Sequence, residues 1–130
     1  MPLNRGNWLL VCGTVNWDTL LFVDQLPLPG EEVRVNRVIS VPGGKGGNTA
    51  VSAARIMGRR KVALLASLGR DPVGFKHTRL LQGEGVDTTS ILKKKGYQSG
   101  QAFIAIDKNG QDVILTHMAA NAQLGPQSLA

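Results

Sequence analysis

The residues with the clearest chemical potential form a glycine cluster, Gly43-Gly44-Lys45-Gly46-Gly47, followed by Asn48. Glycine costs about 0.5–1 kcal/mol relative to alanine inside a regular element, so this density indicates a backbone that takes positive φ, approaches a ligand or hinges. Small residues at helical spacing follow over 50–57, and Gly58 ends them. The glycines are therefore predicted at a helix N-terminus, where free N–H groups attract oxygen atoms and anions. A sharp turn that needs glycine is the alternative.

Two nucleotide-binding motifs are excluded at this cluster. A P-loop requires Gly-Lys-Ser/Thr, whereas Lys45 is followed by Gly46. The dinucleotide motif G-x-G-x-x-G, begun at Gly44, would require glycine at position 49, which is Thr49.

A second candidate lies where the first predicted strand ends. Residues 8–12 are a continuous apolar run, typical of a strand buried on both faces of a parallel sheet. Ligands of open α/β sheets bind just beyond the carboxyl ends of strands. If this exit stays extended, Asn16 and Asp18 face one way and Trp17 the other. An amide beside a carboxylate suits hydroxyl groups; a solvated turn is the alternative.

Alternating strands and helices are predicted to position these residues. Residues 61–69 form a second buried strand, which makes a right-handed crossover with the helix before it. A second helix over 72–82 has Asp71 as N-cap, directs Val73, Leu80 and Leu81 inward, and ends near Gly83. Weaker strands are predicted over 19–23, 32–39, 98–107 and 112–117, the last two joined by a hairpin. We expect a small, half-buried sheet distinct from the central one.

Composition narrows the class of protein. The chain has 130 residues with 42% hydrophobic and 18% charged residues, which fits a globular domain. Its net charge of +6 is concentrated in 59–61 and 93–95, predicted loops, while aromatic residues make up only 5%. A solvated basic surface is favoured over nucleic-acid binding, since few aromatic side chains are available for stacking.

The remaining reactive side chains indicate little further chemistry. Cys12 is the only cysteine, which excludes an internal disulfide, and we expect a buried thiol there. His77 and His117 lack partners at ligand spacing, so no metal site is predicted. Neither a signal peptide nor a transmembrane run is evident, and we expect a cytoplasmic protein without membrane association.

The ordered set of motifs resembles the ribokinase-type (PfkB) family of sugar and nucleoside kinases, and within it the ribokinases most. The resemblance covers essentially the whole chain from Trp8. Its parts are Gly13-x-x-Asn16-x-Asp18, Pro29-Gly30-Glu31, the glycine cluster with Asn48, Gly69-x-Asp71-x-x-Gly74, and the strand pair from Ser99-Gly100 to Asn121.

The resemblance implies an α/β fold: the N-terminal half of a doubly wound ribokinase-like sheet, with a small β lid, over residues 1–130. The lid strands would lie at about 19–40 and 90–102, Gly43-Gly44 would be their hinge, and the lid sheet could form a homodimer. The implied substrate-binding residues are Asn16, Asp18, Gly43, Gly44, Lys45 and Asn48. From the residues alone, Asn48 could equally cap the helix.

The activity that the resemblance implies is ATP-dependent phosphorylation of a sugar hydroxyl, with Mg²⁺ bridging the nucleotide phosphates. The family's catalytic Gly-Ala-Gly-Asp segment belongs to the C-terminal half, and no Gly-x-Gly-Asp occurs in these 130 residues. We therefore expect no catalytic residue and no metal site in this chain, which would bind a sugar or nucleoside but be inactive alone. The alternatives are a non-catalytic sugar-binding or interaction module, a nucleoside kinase fragment, and a nucleic-acid binder.

Overall fold

The computed structural model describes residue 6 and residues 8–129. These residues form eight strands, two α-helices and two short 3-10 helices. The elements are β1 (Leu9–Cys12), β2 (Asn16–Val23), β3 (Val35–Gly43), α1 (Lys45–Met57), β4 (Val62–Leu65), β5 (Ser67–Gly69), α2 (Pro72–Gly83), β6 (Leu92–Lys94), β7 (Gln101–Ile106), β8 (Asp112–His117), and the 3-10 helices Ala119–Gln123 and Pro126–Leu129.

Parallel strands form the core. β4 pairs with β1, and β5 pairs with β6, both in parallel. The predicted strand over 61–69 is therefore divided at Ala66, because its two halves pair with different neighbours. The backbone N–H of Leu92 donates to the carbonyl of Ala66 at 2.8 Å and thereby holds β6 beside the division.

The two helices cover this core. Ala50 and Ala54 of α1 and Leu81 of α2 pack with buried strand residues in one apolar cluster. Both predicted helix ends are confirmed: α1 ends before Gly58, which has φ of +100°, and Asp71 caps α2. The predicted inward position of Leu80 is wrong. Leu80 is 42% exposed, and His77, one turn earlier, is 1% exposed.

The edge of the core differs from the prediction. Trp8 is 72% exposed, Cys12 is exposed, and Val11 is the buried residue of β1. The predictions of a strand buried on both faces and of a buried thiol are therefore wrong. The physical reason is that β1 pairs only with β4 among the described residues, so its other edge lies open.

A separate four-stranded sheet has the order β3-β2-β7-β8. β2 runs parallel to β7, and the other two pairs are antiparallel. β2 begins at Asn16, earlier than predicted, and the predicted β7–β8 hairpin is confirmed, with Gly110 at φ +79°. The predicted range 90–102 contains β6, which belongs to the core, and only the first two residues of β7.

The second basic cluster does not lie wholly in a loop. Lys93 and Lys94 belong to β6, and Lys93 Nζ contacts Thr78 Oγ1 of α2. Burial lowers the pKa of Lys93, and the nearby Asp71 opposes that shift. Lys93 is thus part of the packing between β6 and α2. Over the described residues, neither α-helix has the length and apolar character to cross a membrane.

Candidate functional site

The glycine cluster forms the first turn of α1 and lies against the loop after β1. Gly44 is the N-cap with φ of +92°, a conformation that favours glycine. A Cβ on Gly46 would lie 2.6 Å from the carbonyl carbon of Gly13. Gly47 N–H donates to the carbonyl of Thr14 at 3.2 Å. Positive φ and close backbone approach, rather than a simple turn, therefore account for the glycines, and α1 begins at Lys45, earlier than predicted.

Asn16 and Asp18 lie on the strand beside this turn. The β2–β3 register pairs Asn16 with Gly43 and Asp18 with Val41. A Cβ added to Gly43 would overlap the carboxylate of Asp18, and one added to Gly44 would lie 2.7 Å from the backbone nitrogen of Asn16. Four of the six predicted residues, Asn16, Asp18, Gly43 and Gly44, are therefore brought together. Burial raises the pKa of the Asp18 carboxyl above its ordinary value.

Lys45 and Asn48 occupy the first turn of α1 and are both exposed. They lie three residues apart, so they share one side of the helix. Asn48 makes no capping bond, because Gly44 is the N-cap and its helix has no side-chain cap. The alternative role of Asn48 as a helix cap is therefore wrong. Asn48 lines a groove of about 300 Å³ between α1 and α2, together with Val51 and His77.

The 3-10 helix after β8 supplies a residue whose contact with this site was not predicted. Asn121 is 5% exposed. Its Oδ1 accepts from Val15 N–H at 3.0 Å, and its Nδ2 donates to Val15 O at 3.0 Å and to Asn16 Oδ1 at 2.9 Å. No local pattern signals a contact between residues so distant in sequence; the only signal was the place of Asn121 among the family-like motifs.

The opposite face of β2 packs against α2. The Trp17 ring meets His77 edge to face, with ring centroids 5.9 Å apart, and Lys76 Nζ lies 4.6 Å from the Trp17 centroid. The predicted alternation of Asn16 and Asp18 with Trp17 thus agrees with the strand geometry. Burial, and secondarily the positive charge of Lys93, lower the pKa of His77 to about 4. His77 is therefore neutral near pH 7 and serves packing.

A carboxylate joins α2 to the segment that enters β7. Asp71 accepts hydrogen bonds from Gly74 N, Ser99 N and Ser99 Oγ, each at 2.7 Å. Ser99 Oγ in turn accepts from Gly69 N–H at 3.0 Å. Burial by itself would raise the pKa of Asp71, but the hydrogen bonds from Ser99 and Gly74 outweigh it and lower the pKa. The entry to β7 is thereby fixed to the core.

The chemistry available at this junction is hydrogen bonding to hydroxyl groups. A carboxylate accepts hydrogen bonds, a side-chain amide donates or accepts them, and the start of a helix offers N–H donors. Among residue 6 and residues 8–129, no three or more His, Cys, Asp or Glu side chains are grouped so that they could hold a metal ion.

The sequence and the fold of this chain were compared with those of known proteins, and both match one family. The family model described as pfkB family carbohydrate kinase matches residues 8–130. The ribokinase of Haemophilus influenzae is 34% identical over 116 residues, which are 89% of this chain and 37% of that protein. The solved ribokinase of Thermotoga maritima superimposes with a TM-score of 0.81 at 31% identity, over 92% of this chain and 39% of that one.

A ribokinase of Arabidopsis thaliana, solved with ribose and ATP, has a TM-score of 0.75 at 28% identity, over 87% of this chain and 36% of that one. These likenesses confirm the predicted ribokinase-like α/β fold. This chain spans between 36% and 39% of the length of the three relatives. With the family match extending from residue 8 to residue 130, the chain belongs to the pfkB family of carbohydrate kinases.

Proposed function

We propose that this chain carries the sugar-binding part of an ATP-dependent carbohydrate kinase, with ribose as the substrate. The observation that carries the proposal is the carboxylate of Asp18, partly buried on β2 and packed against Gly43 beside the start of α1. A partly buried carboxylate with no ion pair among the described residues suits a ligand that donates hydrogen bonds, as a sugar hydroxyl does. The names of the relatives support ribose, since all three are ribokinases and one of them was solved with ribose.

All six residues predicted to bind the substrate have a role in this proposal. Asp18 accepts hydrogen bonds from sugar hydroxyls, and Asn16 completes the polar face beside it. Gly43 leaves room for the Asp18 carboxylate, and Gly44 lets the first turn of α1 lie against the backbone of Asn16. Lys45 and Asn48, on the exposed side of the first turn of α1, bind the remaining hydroxyls.

The four-stranded sheet acts as a lid in this proposal. β3 ends at Gly43 and α1 begins at Lys45, so Gly44 alone joins these two elements, at one of the places where the chain passes between sheet and core. A glycine with φ of +92° can absorb a change of backbone angle without a steric penalty from a side chain. Closure over the sugar would exclude water that otherwise competes for the phosphoryl group.

The outer surface of the same sheet could join two copies of the chain. Four apolar residues on the face of the sheet that carries Leu21 are exposed, namely Val35, Val38, Val113 and Leu115. An exposed apolar surface of this kind favours association. A homodimer through the sheet is therefore part of the proposal, and its test is whether Val113→Lys changes the mass measured by light scattering.

Phosphoryl transfer is proposed to need residues outside this chain. Transfer depends on positioned phosphates and charge stabilisation, which the family assigns to ATP and Mg²⁺. The described residues contain no cluster of three or more His, Cys, Asp or Glu side chains that could hold a metal ion, and the chain lacks Gly-x-Gly-Asp, so we assign no contact with either to this chain. We expect no ATP-dependent phosphorylation of ribose by the purified chain, and turnover at about 1–100 s⁻¹, typical of kinases, would contradict this.

The direct test is calorimetric titration of the chain with D-ribose, D-fructose and adenosine. We expect ribose to bind, Asp18→Asn to abolish binding, and Asp112→Asn, an exposed carboxylate at the start of β8, to leave it unchanged. Tighter binding of adenosine than of ribose would instead indicate a nucleoside kinase. A folded chain that binds none of the three would contradict the proposal.

A further inference from the structure

We propose that Asn121 is a positioning residue that holds the side-chain amide of Asn16 with the Asn16 Nδ2 group toward the proposed sugar site; this inference rests on that site. The orientation follows from the hydrogen bonds. Val15 N–H can only donate, so the Asn121 atom facing it is Oδ1, and Val15 O can only accept, so the other atom is Nδ2. Both ends of the Asn121 amide are thereby assigned by the backbone.

The orientation of the Asn121 amide determines the orientation of the Asn16 amide. Because Asn121 Nδ2 is a donor, the Asn16 atom 2.9 Å away from it must be the acceptor Oδ1. That oxygen is occupied, so the group that Asn16 can offer to a ligand is Nδ2, a donor. Asp18 on the same face of β2 offers only acceptors while it is ionised. The proposed sugar site therefore presents one donor, Asn16 Nδ2, and one acceptor, the Asp18 carboxylate. A hydroxyl group can bind both, because its oxygen accepts a hydrogen bond and its hydrogen is donated.

Neighbouring backbone groups hold the Asn121–Asn16 hydrogen bond in place. A Cβ on Gly100 would overlap Asn121 Nδ2 and would lie 2.7 Å from Asn16 Oδ1. The Asn121–Asn16 hydrogen bond therefore requires glycine at position 100. Gly100 O accepts from Trp17 N–H at 2.9 Å, and Gln98 O accepts from Ala120 N–H at 2.9 Å. The 3-10 helix that carries Asn121 is thus tied to the segment that enters β7.

The backbone before Asn121 adds independent support. Ala119 has φ of +45°, a left-handed conformation that costs an L-residue about 1–2 kcal/mol. Such strain persists where neighbouring contacts fix the chain, and the contacts of Ala120 and Asn121 are the ones available here. The strained turn directs Asn121 into the loop between β1 and β2.

The orientation can be tested by NMR without any sugar. We expect only a weak nuclear Overhauser effect between the Asn16 Nδ2 protons and Hα of Gly100 in the parent chain, because Asn16 Oδ1 faces Gly100. In Asn121→Asp, which keeps an acceptor for Val15 N–H but cannot donate to Asn16, the Asn16 amide should rotate and this effect should become strong. A strong effect in the parent chain would overturn the proposal, whether or not any variant folds.

The effect on ligand binding is tested by a double-mutant cycle with D-ribose. We expect Asn121→Asp to weaken binding about tenfold or more, the loss of one hydrogen bond to a ligand. Gln123→Glu, an equivalent change in the same 3-10 helix, should leave affinity unchanged. In an Asn16→Ala background, Asn121→Asp should have no further effect, because its action passes through Asn16.

Two outcomes of the cycle separate the possible failures. An equal loss of affinity from Asn121→Asp in both backgrounds would assign Asn121 a purely structural role and overturn the proposal. If the parent chain binds no ribose, the proposed function fails, and the Overhauser measurement still decides the orientation of Asn16.

Discussion

Gly43 faces the carboxylate of Asp18 so closely that a Cβ at position 43 would overlap Oδ2 and lie 2.5 Å from Cγ. The two residues belong to adjacent antiparallel strands, two positions apart in the β2–β3 register. The carboxylate therefore occupies space that any other residue at position 43 would fill. Glycine is needed at position 43 to leave room for the Asp18 side chain, and not because of an unusual backbone angle.

The first prediction follows from this contact. Gly43→Ala should displace the Asp18 carboxylate and weaken ribose binding about tenfold or more, since overpacking a well-packed site costs about 1–3 kcal/mol. Calorimetric titration measures the loss. Gly83→Ala is the matched control, because no atom lies within 4 Å of a Cβ at that position. Equal affinities for Gly43→Ala and the parent chain would show that Asp18 does not take part in binding.

The second prediction concerns the pH dependence of binding. Burial raises the pKa of Asp18, so its carboxylate should protonate at a higher pH than an exposed aspartate. Ribose affinity should therefore fall as the pH is lowered through this raised pKa, because the protonated group loses acceptor capacity. Titrations from about pH 7 down to about pH 4, near the ordinary aspartate pKa, measure the slope, which Asp112→Asn should leave unchanged. Affinity that is flat down to the pKa of an ordinary aspartate would contradict the assignment.

The third prediction concerns stability and His77. The folded pKa is lowered to about 4, so below about pH 6.5 the unfolded chain binds a proton that the folded chain does not. The free energy of unfolding should fall by about 2 kcal/mol between pH 7 and pH 5 from this group alone. Urea unfolding at both pH values measures it.

Two variants isolate the contribution of His77. His77→Leu should remove this part of the pH dependence, whereas His117→Gln, at an exposed histidine of β8, should retain it. Identical pH dependence in His77→Leu and the parent chain would mean that His77 is not buried in its neutral form.

The fourth prediction concerns Asp71. Asp71→Ala removes the N-cap of α2 and leaves the buried Ser99 N–H without its acceptor, so we expect a loss of about 2–4 kcal/mol in unfolding free energy. Because the pKa of Asp71 is lowered, its contribution should be complete above about pH 4 and be lost only as the pH falls through that lower pKa. The loss in Asp71→Ala should therefore be the same at pH 7 and pH 5, unlike that of His77→Leu.

Thermal and urea unfolding give the Asp71 result, with Asp112→Ala as the control at an exposed carboxylate. A loss no larger than that of the control would show that the hydrogen bonds between Asp71 and Ser99 do not contribute to stability.

The features predicted correctly from the sequence depend on near neighbours. Asp71 caps α2 because its side chain reaches an N–H three residues away, and Gly58 ends α1 through its own backbone angle. β8 occupies the predicted residues because a hairpin turn fixes where it begins. In each case a few consecutive residues contain the whole physical cause.

The features that were not predicted depend on distant parts of the chain. Cys12 is exposed because of the strands that do or do not pair with β1, which an apolar run cannot reveal. His77 replaces Leu80 in the interior because Trp17 packs against it. The contact between Asn121 and Asn16 joins residues 105 positions apart, and only the three-dimensional structure brings them together.

The parallel pairing of β2 with β7 also determines when the site can form. Trp17 is in register with Gln101, so this pair closes a loop that contains β3, α1, β4, β5, α2 and β6. Contacts of such long sequence separation are slow to form, whereas the adjacent β2–β3 pair is quick. We expect pulsed hydrogen exchange during refolding to protect the amides of β3 before those of β7; the reverse order would contradict this. The polar face of β2 would then become rigid only after the last third of the chain has folded against it.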